Sequence, residues 1–160
     1  MKMRTRRKVE HRIEISSWVI MSFLLILLVP RQKIREAQLS FLFKQVMTWL
    51  FGFLVVEKNL ITYPKRAFFK KATKSSFTFE YFIYPATCAL FNLYYPEKRS
   101  IWIKALYYSF HSGIITILEV IAVRYTKLIR YKNWKWYWSF LSIAFTNYLS
   151  HLYHKWFFKS

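Results

Sequence analysis

Residues 101–123 read IWIKALYYSFHSGIITILEVIAV, and this stretch decides the fold. Its 23 residues are apolar apart from a lysine near the start, a central histidine flanked by small polar residues, and a glutamate near the end. A helix rising about 1.5 Å per residue needs roughly 20 apolar residues to cross the hydrocarbon of a bilayer. The run is therefore long enough to span one. Four further runs resemble it, at about 13–29 (IEISSWVIMSFLLILLV), 39–56, 77–95 and 136–154. Open strands would leave backbone N–H and C=O groups unsatisfied in lipid, so helices are the expected form. The reading is all-α: one multi-pass transmembrane helical bundle of about five spans, forming a single integral membrane domain over residues 1–160.

Composition agrees. The chain is 55% hydrophobic and 22% aromatic, yet carries a formal net charge of +19. Those properties coexist only if apolar and cationic residues are segregated, as they are here. The longest segment between the runs, 57–76, is too short to fold as a soluble domain, which excludes an extramembrane enzyme or DNA-binding module. The cations sit at the edges of the runs rather than on one continuous face, so no nucleic-acid partner is expected. Cys88 is the single cysteine and lies in an apolar run, which removes any intrachain disulfide, CxxC motif or cysteine-based metal site. No P-loop, nucleophile elbow or HExxH helix occurs, and no span contains Asp. No catalytic residue, metal ligand set or cofactor is assigned; the reading leans against an enzyme, with a metal-dependent membrane enzyme as the third alternative.

Basic residues set the expected orientation. Seventeen Lys and Arg fall in the segment before the first run, in 57–76 and in 124–135, against seven in the alternate connections. This positive-inside bias puts the amino terminus in the cytoplasm and, with five spans, the carboxyl terminus outside. The amino-terminal segment resembles the basic region of a signal peptide. VPRQKIREAQ, which follows the first run, offers no small-x-small cleavage site, so the segment is expected to remain attached. Lys44 and Lys104 fall about one turn inside the outer surface and are expected to snorkel to water. Trp18, Trp102, Trp134, Trp136, Trp138 and Trp156 cluster at span ends, as interfacial rings do. Pro85, inside the third run, predicts a kink near Tyr81. In the basic loop 57–76, Pro64 suits a first helical position, Phe68, Phe69 and Ala72 share a side, and Lys65, Arg66, Lys70, Lys71 and Lys74 are candidate contacts for lipid headgroups. The alternatives are an interfacial helix lying on the inner surface and an irregular basic loop.

Polar groups within spans are the candidates for function, because burying them in lipid is costly. They are Glu80, His111, Glu119, Asn147 and His151. Glu80 lies six residues from the middle of its run and Glu119 seven from the middle of its own, both on the cytoplasmic side. The two carboxylates therefore share a depth of roughly 10 Å inward of the midplane. Ser109, Ser112, Thr116 and Glu119 form one stripe, with Gly113 beside it as a site for close helix approach. Ser139, Ser142, Thr146, Asn147, Ser150 and His154 form another. The stripes are either interhelical glue or a polar path leading to Glu119. Ser75 and Ser76 are candidate caps for the helix that carries Glu80. His151 and His154 have the i, i+3 spacing that can present two nitrogens to a metal, but they lie on the far side of the midplane from both glutamates.

The strings FFKKATKSSFTFEYFIYPATCALFNLYYP (68–96) and HSGIITILEVIAVRYTKLIRYKNWKWYWSF (111–140), with the WFFK ending, resemble a family of small multi-pass membrane proteins of endospore-forming bacteria. That family is known only by a clostridial locus name and has no assigned activity. The resemblance implies a helical protein of the bacterial inner membrane and carries no catalytic assignments. The expectation is a non-catalytic structural or interaction component of the bacterial cytoplasmic membrane, in contact with anionic lipid headgroups and with a membrane partner or further copies of itself. The alternative is a small proton-coupled or ion-conducting transporter, which predicts an oligomer, because five spans are few for a complete one.

Overall fold

The computed structural model describes residues 2–158 apart from 67, 70, 72 and 73, with side chains from Val9 onward. Five helices account for most of it: α1 (Lys2–Leu28), α2 (Ile34–Glu57), α3 (Tyr84–Leu93), α4 (Ile101–Tyr125) and α5 (Trp136–Phe158). Each overlaps one of the five apolar runs, although α1 begins well before its run and α3 covers only the later part of its own. A short 3₁₀ turn, Arg31–Lys33, joins α1 to α2 after Pro30, and a wide π-helical turn, Phe79–Ile83, leads into α3. Among the described residues, three segments are long and apolar enough to cross a membrane: Val9–Leu28, Arg31–Glu57 and Ile101–Tyr125. In α5 the length is present, but its row of serines, threonine, asparagine and histidines lowers the hydropathy. In the third run the regular helix is only 10 residues long, because the wide turn and Pro85 interrupt it.

The kink expected from Pro85 takes the form of that wide turn. Proline has no N–H to give, so the turn before it opens by one residue rather than holding α-helical spacing. Ser76 caps the segment as expected: its Oγ accepts from the N–H of Phe79 at 3.4 Å, and its carbonyl from the N–H of Glu80 at 3.1 Å.

Polarity is inverted relative to a soluble domain. Among the described residues, 18 polar or charged residues are buried against 11 hydrophobic ones, while Ile26 is 81% and Trp102 80% exposed. Water would drive the opposite distribution. An apolar exterior around a polar interior is the arrangement lipid demands, because only protein can satisfy the buried groups. α2 packs along α3 and α5, α4 against α5, and α1 against the start of α3. Trp18 on α1 stacks on Phe82 with centroids 4.0 Å apart and donates its ring N–H to Thr78 Oγ1 at 3.2 Å.

The connections separate into two ends. At one end, Ile61–Thr62 pairs antiparallel with Arg130–Tyr131, Lys127 N–H donates to Glu10 Oε1 at 3.0 Å, and Lys65 N–H donates to the carbonyl of Lys127 at 3.2 Å. A small hydrophobic cluster of Ile61, Tyr63, Leu128 and Ile129 closes this end. The three most basic segments thus meet there. At the other end, Tyr94 Oη donates to the carbonyl of Leu28 at 2.7 Å, and Lys155 bonds to Glu97.

The surface helix considered for 57–76 does not form among the described residues. Phe69 adopts a positive φ of 50°, and Arg66 Nη1 donates to the carbonyls of Tyr63 (3.1 Å) and Lys74 (2.9 Å), folding the loop back on itself. These local bonds, with Phe68 against Trp18 and Phe69 against Phe77, compete with helix formation. Lys70 lies outside the described residues. Lys71 and Lys74 are exposed, and Lys65 and Arg66 are half-buried.

Candidate functional site

Glu119, near the end of α4, is met by hydroxyls from three directions. Tyr84, the first residue of α3, donates to Oε2 at 2.9 Å; Tyr131 and Ser139 donate to Oε1 at 2.5 and 2.6 Å. Trp134 supports the arrangement by donating its ring N–H to Ser139 Oγ at 2.8 Å. Local folding explains the convergence. The strand pair delivers Tyr131, the first turn of α5 delivers Ser139, and the wide turn ends where Tyr84 begins. Burial and then the Glu119 carboxylate push the Tyr131 phenol above its ordinary value, so it is held as a donor.

Glu80 sits inside the wide turn and is 2% exposed. Thr48 on α2 donates to its backbone carbonyl at 2.6 Å. Its carboxylate occupies the space a Cβ would take at Gly52. That glycine lets α2 approach closely enough for the acid to be enclosed. The hydroxyls of Ser75 and Tyr63 approach the same carboxylate. Tyr63 links the two acids: burial first, then Glu80 and Glu119, raise its phenol well above the ordinary value and keep it protonated.

Lys44 completes the set, contrary to expectation. It is 1% exposed, and its ammonium donates to Thr146 Oγ1 at 2.5 Å and Asn147 Oδ1 at 2.6 Å. α2 begins at Ile34, five residues before the start of the apolar run. Lys44 is therefore ten residues into its helix, about 15 Å from the end, and does not reach water.

Lys44, Glu80 and Glu119 line one cavity of about 80 Å³, with Tyr63, Tyr84 and Ser139 in the same wall. A single water needs roughly 10–15 Å³ by this measure, so the chamber has room for several. Formally it holds two acids and one base, each on a different helical segment and each buried.

The remaining sequence candidates divide. Asn147 belongs to the site as the acceptor for Lys44. On α4 the stripe is buried at Ser112, Thr116 and Glu119, but Ser109 is exposed. His111 stands about 100° around the helix from that stripe and packs on the rings of Tyr107 and Phe91, with centroids at 4.3 and 5.4 Å. It does not line the chamber. Gly113 faces open space, so the close approach expected there occurs at Gly52 instead. His151 is nearer the opposite end of the bundle, with Nδ1 at 3.2 Å from Asn92 Oδ1 and Nε2 at 3.3 Å from Glu97. His154 faces Glu36 at 3.7 Å. The two histidines thus serve different carboxylates, and among the described residues no three His, Cys, Asp or Glu are grouped to hold a metal.

The site residues that sequence reasoning missed are Lys44, Gly52, Tyr63, Tyr84 and Tyr131. The tyrosines count as apolar in a hydropathy profile, and their hydroxyls acquire meaning only from the acids they meet. No protein family, curated protein or solved structure matches the chain, so the chamber is read from its own geometry.

Proposed function

We propose that the chain crosses the bacterial cytoplasmic membrane five times, amino terminus inside and carboxyl terminus outside. In this reading it moves protons, or a small solute together with protons, through its polar interior without catalysing a covalent reaction. The observation that carries it is the shared chamber of Lys44, Glu80 and Glu119. Burying one ionisable group between lipid-facing helices is costly, and burying three around a space that holds several waters is hard to account for by packing alone. Polar groups continue from the chamber along α5: Thr146 and Asn147 hold Lys44, then Ser150 accepts from Asn92 Nδ2 at 2.9 Å, and Asn92 meets His151. From Ser139 to His151 this file extends about 18 Å. The gathering of the three most basic segments at one end favours that end as the cytoplasmic one. With so few helices around the path, assembly of several copies is expected.

The test is proton flux. Protein reconstituted in liposomes with an internal pH dye, driven by a potassium gradient, should acidify them faster than Glu119→Gln does at equal incorporation. Equal rates, or none above empty liposomes, remove the transport reading. A reporter fused after Ser160 should be active outside the cytoplasm, and an intracellular signal would overturn the orientation.

A structural or interaction role is the second reading. It is favoured by the completeness of the bonds, since Glu119 has three hydroxyl donors and Lys44 two acceptors on other segments. Such interhelical bonds act as glue in membrane bundles. Under this reading Glu119→Gln lowers the melting temperature, and neither protein carries flux.

A further inference from the structure

A second hollow, outside the chamber, opens at the basic end. This groove of about 800 Å³ lies between α1 at Val9 and Glu10, the loop at Pro64–Lys65 and residues 123–130 at and after the end of α4. Its volume is within the range of about 300–1,000 Å³ common for small-ligand sites. Lys65, Arg124, Lys127 and Arg130 line it, and among the described residues none of the four takes part in a salt bridge. The one acid in the wall is Glu10, buried at 6% exposure. Its Oε1 accepts from the N–H of Lys127 at 3.0 Å, while its Oε2 is buried and has no hydrogen-bond partner among the described residues.

These halves call for different ligand groups. Four uncompensated cations call for an anion, and phosphate oxygens are the acceptors that Arg and Lys satisfy best. A buried carboxylate oxygen with no donor calls for a hydroxyl, since leaving it bare is costly. Val123 and Ile129 supply an apolar wall, and the exposed apolar residues of α1 (Val19, Ile20) and α4 (Ile117, Leu118) continue away from the groove. We propose that the groove binds one anionic glycerophospholipid whose headgroup carries a free hydroxyl, of the phosphatidylglycerol kind. The phosphate sits among Arg124, Lys127, Arg130 and Lys65, the headgroup hydroxyl donates to Glu10 Oε2, and the acyl chains run along α1 and α4. This inference rests on the membrane reading but not on proton movement. It is distinct from diffuse attraction of loop lysines to a charged surface, because it specifies one lipid and a hydroxyl requirement.

The experiment is native mass spectrometry of the full chain in a mild detergent, titrated with phosphatidylglycerol, phosphatidylmethanol (the same phosphodiester without the hydroxyl) and phosphatidylcholine. One phosphatidylglycerol should be retained in preference to both others. The triple variant Arg124→Gln, Lys127→Gln, Arg130→Gln should weaken it by about ten-fold or more, the scale of losing charge-assisted bonds. Glu10→Met should bind phosphatidylglycerol and phosphatidylmethanol equally, an internal ratio that holds even if the variant is less stable. Equal retention by the wild type and the triple variant, or equal binding of phosphatidylcholine by the wild type, overturns the proposal. So does equal binding of phosphatidylmethanol by the wild type. Displacement by millimolar inorganic phosphate overturns the lipid in favour of a soluble phosphate. The membrane reading fails separately, if alkaline carbonate without detergent releases the protein from membranes.

Discussion

Gln45 Nε2 donates to the backbone carbonyl of Tyr81 at 2.8 Å. That carbonyl would be served by the N–H of residue 85 in a regular helix, and residue 85 is proline. A side chain of α2 thus repairs the hydrogen bond that α3 lacks, as Thr48 does one residue earlier at Glu80. The wide turn is stable because its two orphaned carbonyls are met from a neighbouring helix.

Gln45→Leu should destabilise the protein by about 1–3 kcal/mol, the range for stranding a buried acceptor. In a Pro85→Ala background the cost should shrink, since the helix can then supply its own N–H. A double-mutant cycle of unfolding in detergent checks this, and additive effects would show that the two residues do not share the carbonyl.

Gly52→Ala forces a methyl group against the Glu80 carboxylate. The carboxylate is the end of a rotatable side chain beside a cavity, so the expected cost is about 1 kcal/mol, at the low end for overpacking. Glu80→Ala should relieve it, which melting temperatures of the single and double variants would reveal.

Lys44→Met removes a buried ammonium while keeping the length of the side chain. Replacing a buried charge by a hydrophobe is often neutral or stabilising, but here Asn147 loses its donor. Lys44→Met with Asn147→Leu should therefore be more stable than Lys44→Met alone, by about 1–3 kcal/mol. Thermal unfolding of the pair decides it. The single variant also tests transport, because flux that survives it unchanged would show that the base is not needed.

At the far end of the bundle, the bond from Lys155 holds the Glu97 carboxyl below its ordinary value of 4.5. A depressed acid stabilises the fold above its unfolded value and loses that contribution as pH falls through the folded one. The contribution of Glu97 is thus present at neutral pH and disappears as pH drops below about 4.5. Both partners are substantially exposed, so less than about 1 kcal/mol is involved. The melting temperatures of wild type and Glu97→Gln should differ slightly at pH 7 and converge toward pH 3. A gap that widens on acidification would contradict the pairing.

The helices were legible in the chain because each apolar run is continuous and bounded by Pro or clustered basic residues. Glu80 and Glu119 line one cavity, and counting the rise per residue along two oppositely running helices brings them to the same level. Lys44 was not legible in this way. Its depth depends on where α2 begins, and the helix starts at Ile34 among residues that read as a basic connection. Gly52 carries no signal of its own, because the need for a missing side chain comes from Glu80, 28 positions away. His111 lies apart from the chamber for the opposite reason. It is central in the run, but depth says nothing about azimuth.

The wide turn at Phe79–Ile83 has one consequence for how the chain tolerates change. It holds one more residue than an α-helical turn would, and the wider winding absorbs that surplus locally, so the segments on either side keep their helical relationship. Losing one residue there would let the helix close into a regular coil with little rotation of its flanks, and the disturbance would fall on the residues of the turn itself, the acid at position 80 among them. A one-residue loss or gain elsewhere in the third helix would instead turn everything beyond it by about 100°. The turn is thus the place where the third helix can change length without swinging its neighbours out of line.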